Sequence, residues 1–258
     1  ARTVHIGICH CAMGAKTKVN MDINSDMGEL NRLLADDTYE KIMDHVTSIN
    51  VACGGHAGDE VMMAAMVVLA MEKGVNVGAH PSYPDKENFG RFDIDMDENE
   101  LLDTVRDQIQ LLVDIASEHG VELSHVKPHG ALYNRAVHDE GVAETIGEAI
   151  IQVDPSYKVM GLAGSKMLAV FDSLGLDTMA EAFADRTYES DGTLRNRKYD
   201  DAIITDPKKA GLQTAQMMDG YVVAVYGVEI DVQAQTLCIH SDTPNAVAIA
   251  EAVRKTIL

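Results

Sequence analysis

The feature that most constrains this chain is an alternation, repeated about seven times, of a short β-branched run and a longer segment with helical spacing. The short runs are residues 19–23, 48–52, 75–78, 124–126, 157–161, 221–225 and 236–239. Runs of this length and type suit strands buried on both faces. The longer segments are residues 61–73, 98–119, 141–153, 165–174, 207–218 and 244–257. In the second of them Leu101, Leu102, Val105, Ile109, Leu112, Val113 and Ala116 fall on one helical face. Gly74, Gly120 and Gly175 stand just after helical segments, where a left-handed cap favours glycine. Strand followed by helix, many times over, predicts an α/β protein with a parallel sheet inside and helices outside. No dinucleotide glycine fingerprint follows the first strand, and no Pro/Gly/Ser-rich linker divides the chain. Such a sheet can close into a barrel or stay open and doubly wound, and the expectation is one seven-stranded β/α barrel over residues 19–258.

Polar residues follow the strands. After the first come Asp22, Asn24, Asp26 and Glu29, and after the second comes Asn50-Val-Ala-Cys-Gly-Gly-His-Ala-Gly-Asp59. Next come Gly78-Ala-His-Pro-Ser-Tyr-Pro-Asp85, Lys127-Pro-His-Gly-Ala-Leu-Tyr-Asn134 and Gly161-Leu-Ala-Gly-Ser165. Glu181-Ala-Phe-Ala-Asp-Arg186 and His240-Ser-Asp242 complete the set. In a parallel barrel these strand ends gather at one mouth, so the segments are expected to converge. Taken singly they have plainer roles: Asp59, Asp242 and Ser165 can each cap a helix. Two chemistries suit such a mouth. In one, Asp26, His56 and His80 hold a divalent metal that activates water. In the other, Asp26 or Asp59 acts as base while Lys127 or His129 stabilises a developing oxyanion. Arg91, Lys127 and Arg186 are the candidates for holding a substrate carboxylate.

The chain carries 41 acidic against 21 basic residues, a formal net charge of −20. Such a surface repels phosphate backbones and anionic lipid, so neither nucleic acid nor membrane is expected as a partner. No stretch is apolar for long enough to span a bilayer. Four cysteines in 258 residues do not make a disulfide framework. Residues 1–18 lack strong periodicity and are read as a leader or added extension, poorly ordered, with Met13 or Met21 as the start. His5, Cys9, His10 and Cys11 within it offer a weaker, metal-binding reading. With no export signal, a cytoplasmic protein with reduced thiols is expected.

The ordered segments Asp22-Ile-Asn-Ser-Asp-Met-Gly-Glu29, Asn50 to Asp59, Gly78 to Asp85, Phe89-Gly-Arg91, Val126 to Asn134, Gly161 to Ser165, Glu181 to Arg186 and Cys238-Ile-His240 resemble the LamB/YcsF family, the group of 5-oxoprolinase A subunits. The resemblance runs from about Met21 to the C-terminus. It implies an irregular β/α barrel related to the sugar deacetylase fold. It also implies ATP-dependent conversion of 5-oxoproline to glutamate together with two partner subunits, B and C. Carried over, it places Asp22, Asn24, Asp26, His56, Asp59, His80, Lys127, His129 and His240 at the site, with Asn24, His56, His80 and His240 binding substrate. ATP would be a co-substrate. No phosphate loop of standard spacing is present, so its site is expected at a junction between subunits or on a partner. The chain departs from the family pattern at Gly55, usually a large aromatic, at Glu60, usually proline, and at Ser241, usually glycine. A stand-alone metal-dependent deacetylase or amidohydrolase is the alternative, and a binding subunit without catalytic residues is a third reading.

Overall fold

The computed structural model describes residues 21–258. The 1–18 extension and its His5, Cys9, His10 and Cys11 motif lie outside them. The chain begins with β1 (Asp22–Met27), two short helices α1 (Asn31–Ala35) and α2 (Thr38–Met43), then β2 (Ser48–Ala52), α3 (Glu60–Lys73) and β3 (Asn76–His80). A long α4 (Glu98–Glu118) leads to the two-residue β4 (His125–Val126), then α5 (Gly130–Ala136), α6 (Glu140–Val153), β5 (Lys158–Leu162), α7 (Lys166–Ser173) and β6 (Thr178–Phe183). After α8 (Pro207–Met218) come β7 (Tyr221–Val223), β8 (Glu229–Asp231), β9 (Thr236–His240) and α9 (Ala246–Ile257). Seven strands, β1 to β6 and β9, pair in parallel and close into a barrel, with β9 bridging β6 and β1.

One expected strand belongs elsewhere. Residues 221–225 read as a barrel strand, but Tyr221–Val223 pairs antiparallel with Glu229–Asp231 in a two-stranded sheet. The sixth barrel position is taken by Thr178–Phe183 instead. β-branched residues favour extended backbone, and local preference does not say which sheet the segment joins. Here the Ala224 amide donates to the Val228 carbonyl oxygen at 2.8 Å, so the segment turns back on itself.

Side chains alternate along each barrel strand. On β1, Ile23 and Met27 are fully buried beneath the helices, whereas Asp22, Asn24 and Asp26 point into the barrel. The outer layer is apolar: Ile49, Val51, Val77, Val126, Val159, Leu237 and Ile239 pack under the helices. Burying each such side chain contributes roughly 1.5–3 kcal/mol. Of the expected α4 face, Leu101, Val105, Ile109, Leu112 and Ala116 are buried and Leu102 and Val113 are partly buried at its edge, and the helix packs against α6. Helix ends follow the sequence signals. The Asp59 carboxylate accepts from the Met62 amide at 2.8 Å, and Gly74 closes α3 at φ 67°.

Inside, a column of polar side chains runs along the barrel beside Leu162 and Phe183. The Asp22 carboxylate accepts from Thr47, Ser48 and Thr236. One level up, Asn24 Nδ2 donates to Glu181 and Thr236, and Asn50 Nδ2 donates to Asn24 Oδ1. The His125 ring crosses the interior to reach Asn50 Oδ1 at 2.7 Å. It passes over Gly78, where a Cβ would stand 2.2 Å from His125 Nε2. Glycine is needed there for close approach, not for its backbone angle.

Candidate active site

The top of this polar column opens into a cavity of about 490 Å³ at the barrel mouth. Its floor is Lys127, carried just beyond the two-residue β4. The Lys127 ammonium lies 2.9 Å from Asp26 Oδ1, 2.9 Å from Glu181 Oε1 and 3.2 Å from Asn24 Oδ1. The Cys238 thiol sulfur is 3.1 Å away. Burial penalises the ammonium, but the carboxylates beside it, Asp26 first, hold its pKa well above the usual lysine value. Burial likewise pushes the Asp26 carboxyl up, yet His80 and Lys127 overcome it and hold the group well below the carboxylate range. The floor is thus a fixed cation with a fixed anion. A buried pair of this kind is costly to break from either side.

Three imidazoles stand on one side of the floor. His56 and His129 stack with centroids 3.6 Å apart and planes within 4°, and the His80 ring meets both edge-on. Glu29 Oε1 is 3.0 Å from His56 Nε2 and 3.4 Å from His129 Nδ1. Burial first, then the neighbouring rings, holds His129 well below the histidine range; burial does the same to His56. Burial also raises Glu29. The loop carrying Phe89 and Gly90 seals the group. A Cβ at Gly90, where φ is +64°, would stand 2.8 Å from His56 Cβ and 2.9 Å from His129 Cδ2.

The opposite side holds one oriented imidazole and the cations. His240 Nδ1 lies 3.0 and 3.1 Å from the two Asp185 oxygens. A carboxylate only accepts, so Nδ1 carries a proton, and Nε2 is the ring nitrogen turned to the cavity, 3.9 Å from Asp26 Oδ2. Asp185 is buried, which pushes its pKa up, but His240, Thr243 and the His240 amide outweigh this and bring it down to about 2. Asp242 anchors the rim between Arg91 (3.2 Å) and Arg197 (3.6 Å). Arg186 is buried and spends two donors on the carbonyl oxygens of Ala202 and Arg195. Burial, with Arg197 adding to it, lowers its pKa to about 10.

The LamB/YcsF family model matches residues 21–258, every residue of this barrel. This chain belongs to the LamB/YcsF family. A relative from Chloroflexus aggregans, named as the A subunit of 5-oxoprolinase, is 46% identical over 92% of this chain and 94% of its own length. Another of that name, from Shouchella clausii, is 45% identical over 91% of this chain and 93% of its own length. The solved structure of a lactam utilization protein from Thermus thermophilus superposes with a TM-score of 0.84 at 37% identity, covering 92% of this chain and 95% of that one.

The LamB/YcsF segments singled out in the sequence meet at the mouth, with exceptions. Asp26, His80, Lys127, His129, His240, Arg91 and Arg186 line the cavity. His56 stands behind His129 and Asn24 beneath Lys127, both buried. Asp22 sits at the far end of the barrel among hydroxyls, away from the cavity. Asp59 is exposed and caps α3. Asp242 caps no helix, since α9 starts after Asn245, and it pairs with arginines instead. Ser165 occupies the cap position of α7 without a side-chain bond. The departures from the family pattern are accommodated locally. The Ser241 hydroxyl donates to the Asp26 carbonyl oxygen at 2.6 Å, tying the end of β9 to β1. Gly55 leaves room for Gln108, whose Oε1 would lie 2.4 Å from a Cβ there. Glu60 begins α3 on the surface, where the helix dipole favours an acid. The sequence assigned no individual role to Glu29, Glu181, Asp185 or Arg197, although the first three sit in the quoted segments.

Proposed function

We propose that this chain is the ring-opening component of an ATP-dependent 5-oxoprolinase that works with partner subunits B and C. The reading is supported most by relatives bearing the 5-oxoprolinase name that align over more than nine-tenths of the chain. A cavity of this size, floored by a buried ammonium and rimmed by arginines, suits a small cyclic amide bearing one carboxylate.

In this reading Arg91 and Arg197 hold the substrate carboxylate, and the lactam oxygen points down to Lys127. An amide carbonyl is a poor electrophile. ATP, bound at a partner or a junction, transfers its γ-phosphoryl group to that oxygen and leaves as ADP. Water then adds to the carbon, the C–N bond breaks, and the nitrogen takes a proton to become the amine of γ-glutamyl phosphate. A second water releases phosphate and leaves glutamate. His240 Nε2, oriented through Nδ1 by Asp185, is the base that takes the proton from the attacking water. Lys127 stabilises negative charge on the oxygen, with Asp26 and Glu181 fixing its place.

The test is glutamate formation from 5-oxoproline and ATP, with the purified chain alone and then with its partners. Turnover only in the full mixture is expected. No turnover in a mixture whose components are folded and associated would overturn the substrate. Hydrolysis of simple amides by the chain alone would favour a stand-alone amidohydrolase.

A further inference from the structure

The two facing imidazoles have their tautomers fixed from behind. His80 Nδ1 lies 2.7 Å from the Lys127 carbonyl oxygen, and His129 Nε2 lies 3.0 Å from the Phe89 carbonyl oxygen. Carbonyl oxygens only accept, so both of these nitrogens carry protons. In the neutral rings the lone pairs are then on His80 Nε2 and His129 Nδ1, which face each other 3.0 Å apart. Glu29 Oε1 joins them 3.4 Å from His129 Nδ1, and His56 Nε2 lies 3.0 Å beyond it. His56 Nδ1 is buried with no hydrogen-bond partner, so no carbonyl or carboxylate on that side explains the ring's position. Neutral rings would thus bring two lone pairs together beside the Glu29 carboxylate, with Asp26 Oδ2 a further 3.4 Å from His80 Nε2, an arrangement that calls for a shared proton or a cation between the rings.

We propose that Glu29, His56, His80 and His129 form a binding site for one divalent cation of the zinc–cobalt class, open to the mouth cavity. The four donor atoms all lie within 4.8 Å of one another. Around a tetrahedral ion with bonds of about 2.0–2.1 Å, neighbouring donors stand about 3.3–3.4 Å apart. The measured separations of 3.0, 3.0 and 3.4 Å bracket that value. Metal-bound histidines usually donate their other N–H to a carbonyl or carboxylate, and His80 and His129 already do so. Three imidazoles and one carboxylate select borderline ions over magnesium or calcium. The set differs from the sequence expectation of Asp26, His56 and His80. Glu29 and His129 enter it, and Asp26 stays committed to Lys127 through Oδ1. The site rests on donor geometry and goes beyond the lactam reading, since it holds for any substrate.

The experiment is a titration of the metal-stripped chain with Co²⁺ in the background C9S/C11S, which removes the competing thiols near the N-terminus. One equivalent of Co²⁺ with the visible bands of a tetrahedral ion, displaced by Zn²⁺, is the expected result. Variants H129N and E29Q, shown folded by circular dichroism, are expected to weaken binding by more than about 100-fold, beyond the range of an outer-shell change. Wild-type affinity in both folded variants, or no uptake by the parent chain, would sink the site. Imidazole ¹⁵N spectra of the parent chain give a reading that needs no ligand variant. Zn²⁺ is expected to move His80 Nε2 and His129 Nδ1 together. An unchanged imidazolium signal would mean that the cage holds a proton and no metal. None of these readouts needs substrate or partners, so they stand or fall apart from the oxoprolinase assay.

Discussion

Asp22 and Asp26 stand on one strand, one face and one polar column, yet they serve opposite ends of the molecule. Asp22 is surrounded by the hydroxyls of Thr47, Ser48 and Thr236, neutral groups that satisfy it and leave nothing to react. Asp26 is surrounded by Lys127, His80 and His240, an ammonium and two imidazoles that line the cavity with it. What separates the two carboxylates, one partly and one fully buried, is the chemistry of their partners. Neutral donors close a network, whereas charged ones keep a site poised.

Replacing Lys127 with Met should have the largest effect, since it leaves Asp26 and Glu181 buried without a cation. Breaking such a pair costs about 3–5 kcal/mol, read by denaturant unfolding, and turnover should vanish. Adding Asp26→Asn to that variant should restore part of the stability and none of the turnover. If it restores turnover, the upper end is as structural as the lower. Asp185→Asn should leave the fold in place and lower kcat about 10²–10⁴-fold, the range for general acid–base catalysis, by freeing His240 to take the wrong tautomer. Asp185 also gives a pH signature. Its folded pKa is depressed to about 2 from an ordinary 3.8. Its stabilising contribution is therefore full well above 3.8 and is lost as pH falls through about 2. The acid limb of the unfolding curve should shrink in the asparagine variant.

Asp22→Asn should act on stability alone, costing about 1–3 kcal/mol for weakened bonds to the hydroxyls, with turnover per folded molecule unchanged. A fall in kcat would break the comparison by showing that the lower network positions the upper one. The smallest effect belongs to Asp59→Ala, a lost helix cap worth about 1 kcal/mol. Its kcat and KM should not move; if they do, Asp59 reaches the reaction after all.

The barrel was legible because most of its parallel strands leave a local trace, and the exceptions have local causes. Thr178-Met-Ala-Glu-Ala-Phe183 lacks a β-branched run and carries an interior glutamate, so it reads weakly although it is a barrel strand. Tyr221-Val-Val is β-branched and reads strongly, although it lies in the small side sheet. The site was legible as a set of strand ends but not as a set of partnerships. Glu29 finds His56 27 positions away, Asp185 finds His240 55 away, and Arg91 finds Asp242 151 away. Spacing along the chain carries no trace of such pairs. Only barrel closure brings them together, which is why Asp59 and Asp242, alike in sequence, take different roles.

The excursion between β6 and β9 has a consequence for how such a protein can change. Residues 184–235 leave the barrel after Phe183 and return at Thr236, and β6 and β9 pair directly as if the segment were absent. That segment supplies Arg186, Arg195 and Arg197 to the rim, while Lys127, Asp26 and the imidazoles belong to the barrel strands and their own loops. Most of the arginine roof and the Lys127 floor thus stand on separable lengths of chain, although Arg91 lies outside the segment and Asp185, which holds His240, lies within it. A lineage can exchange the roof of the site for one that greets a different acid while the floor beneath it goes on unchanged.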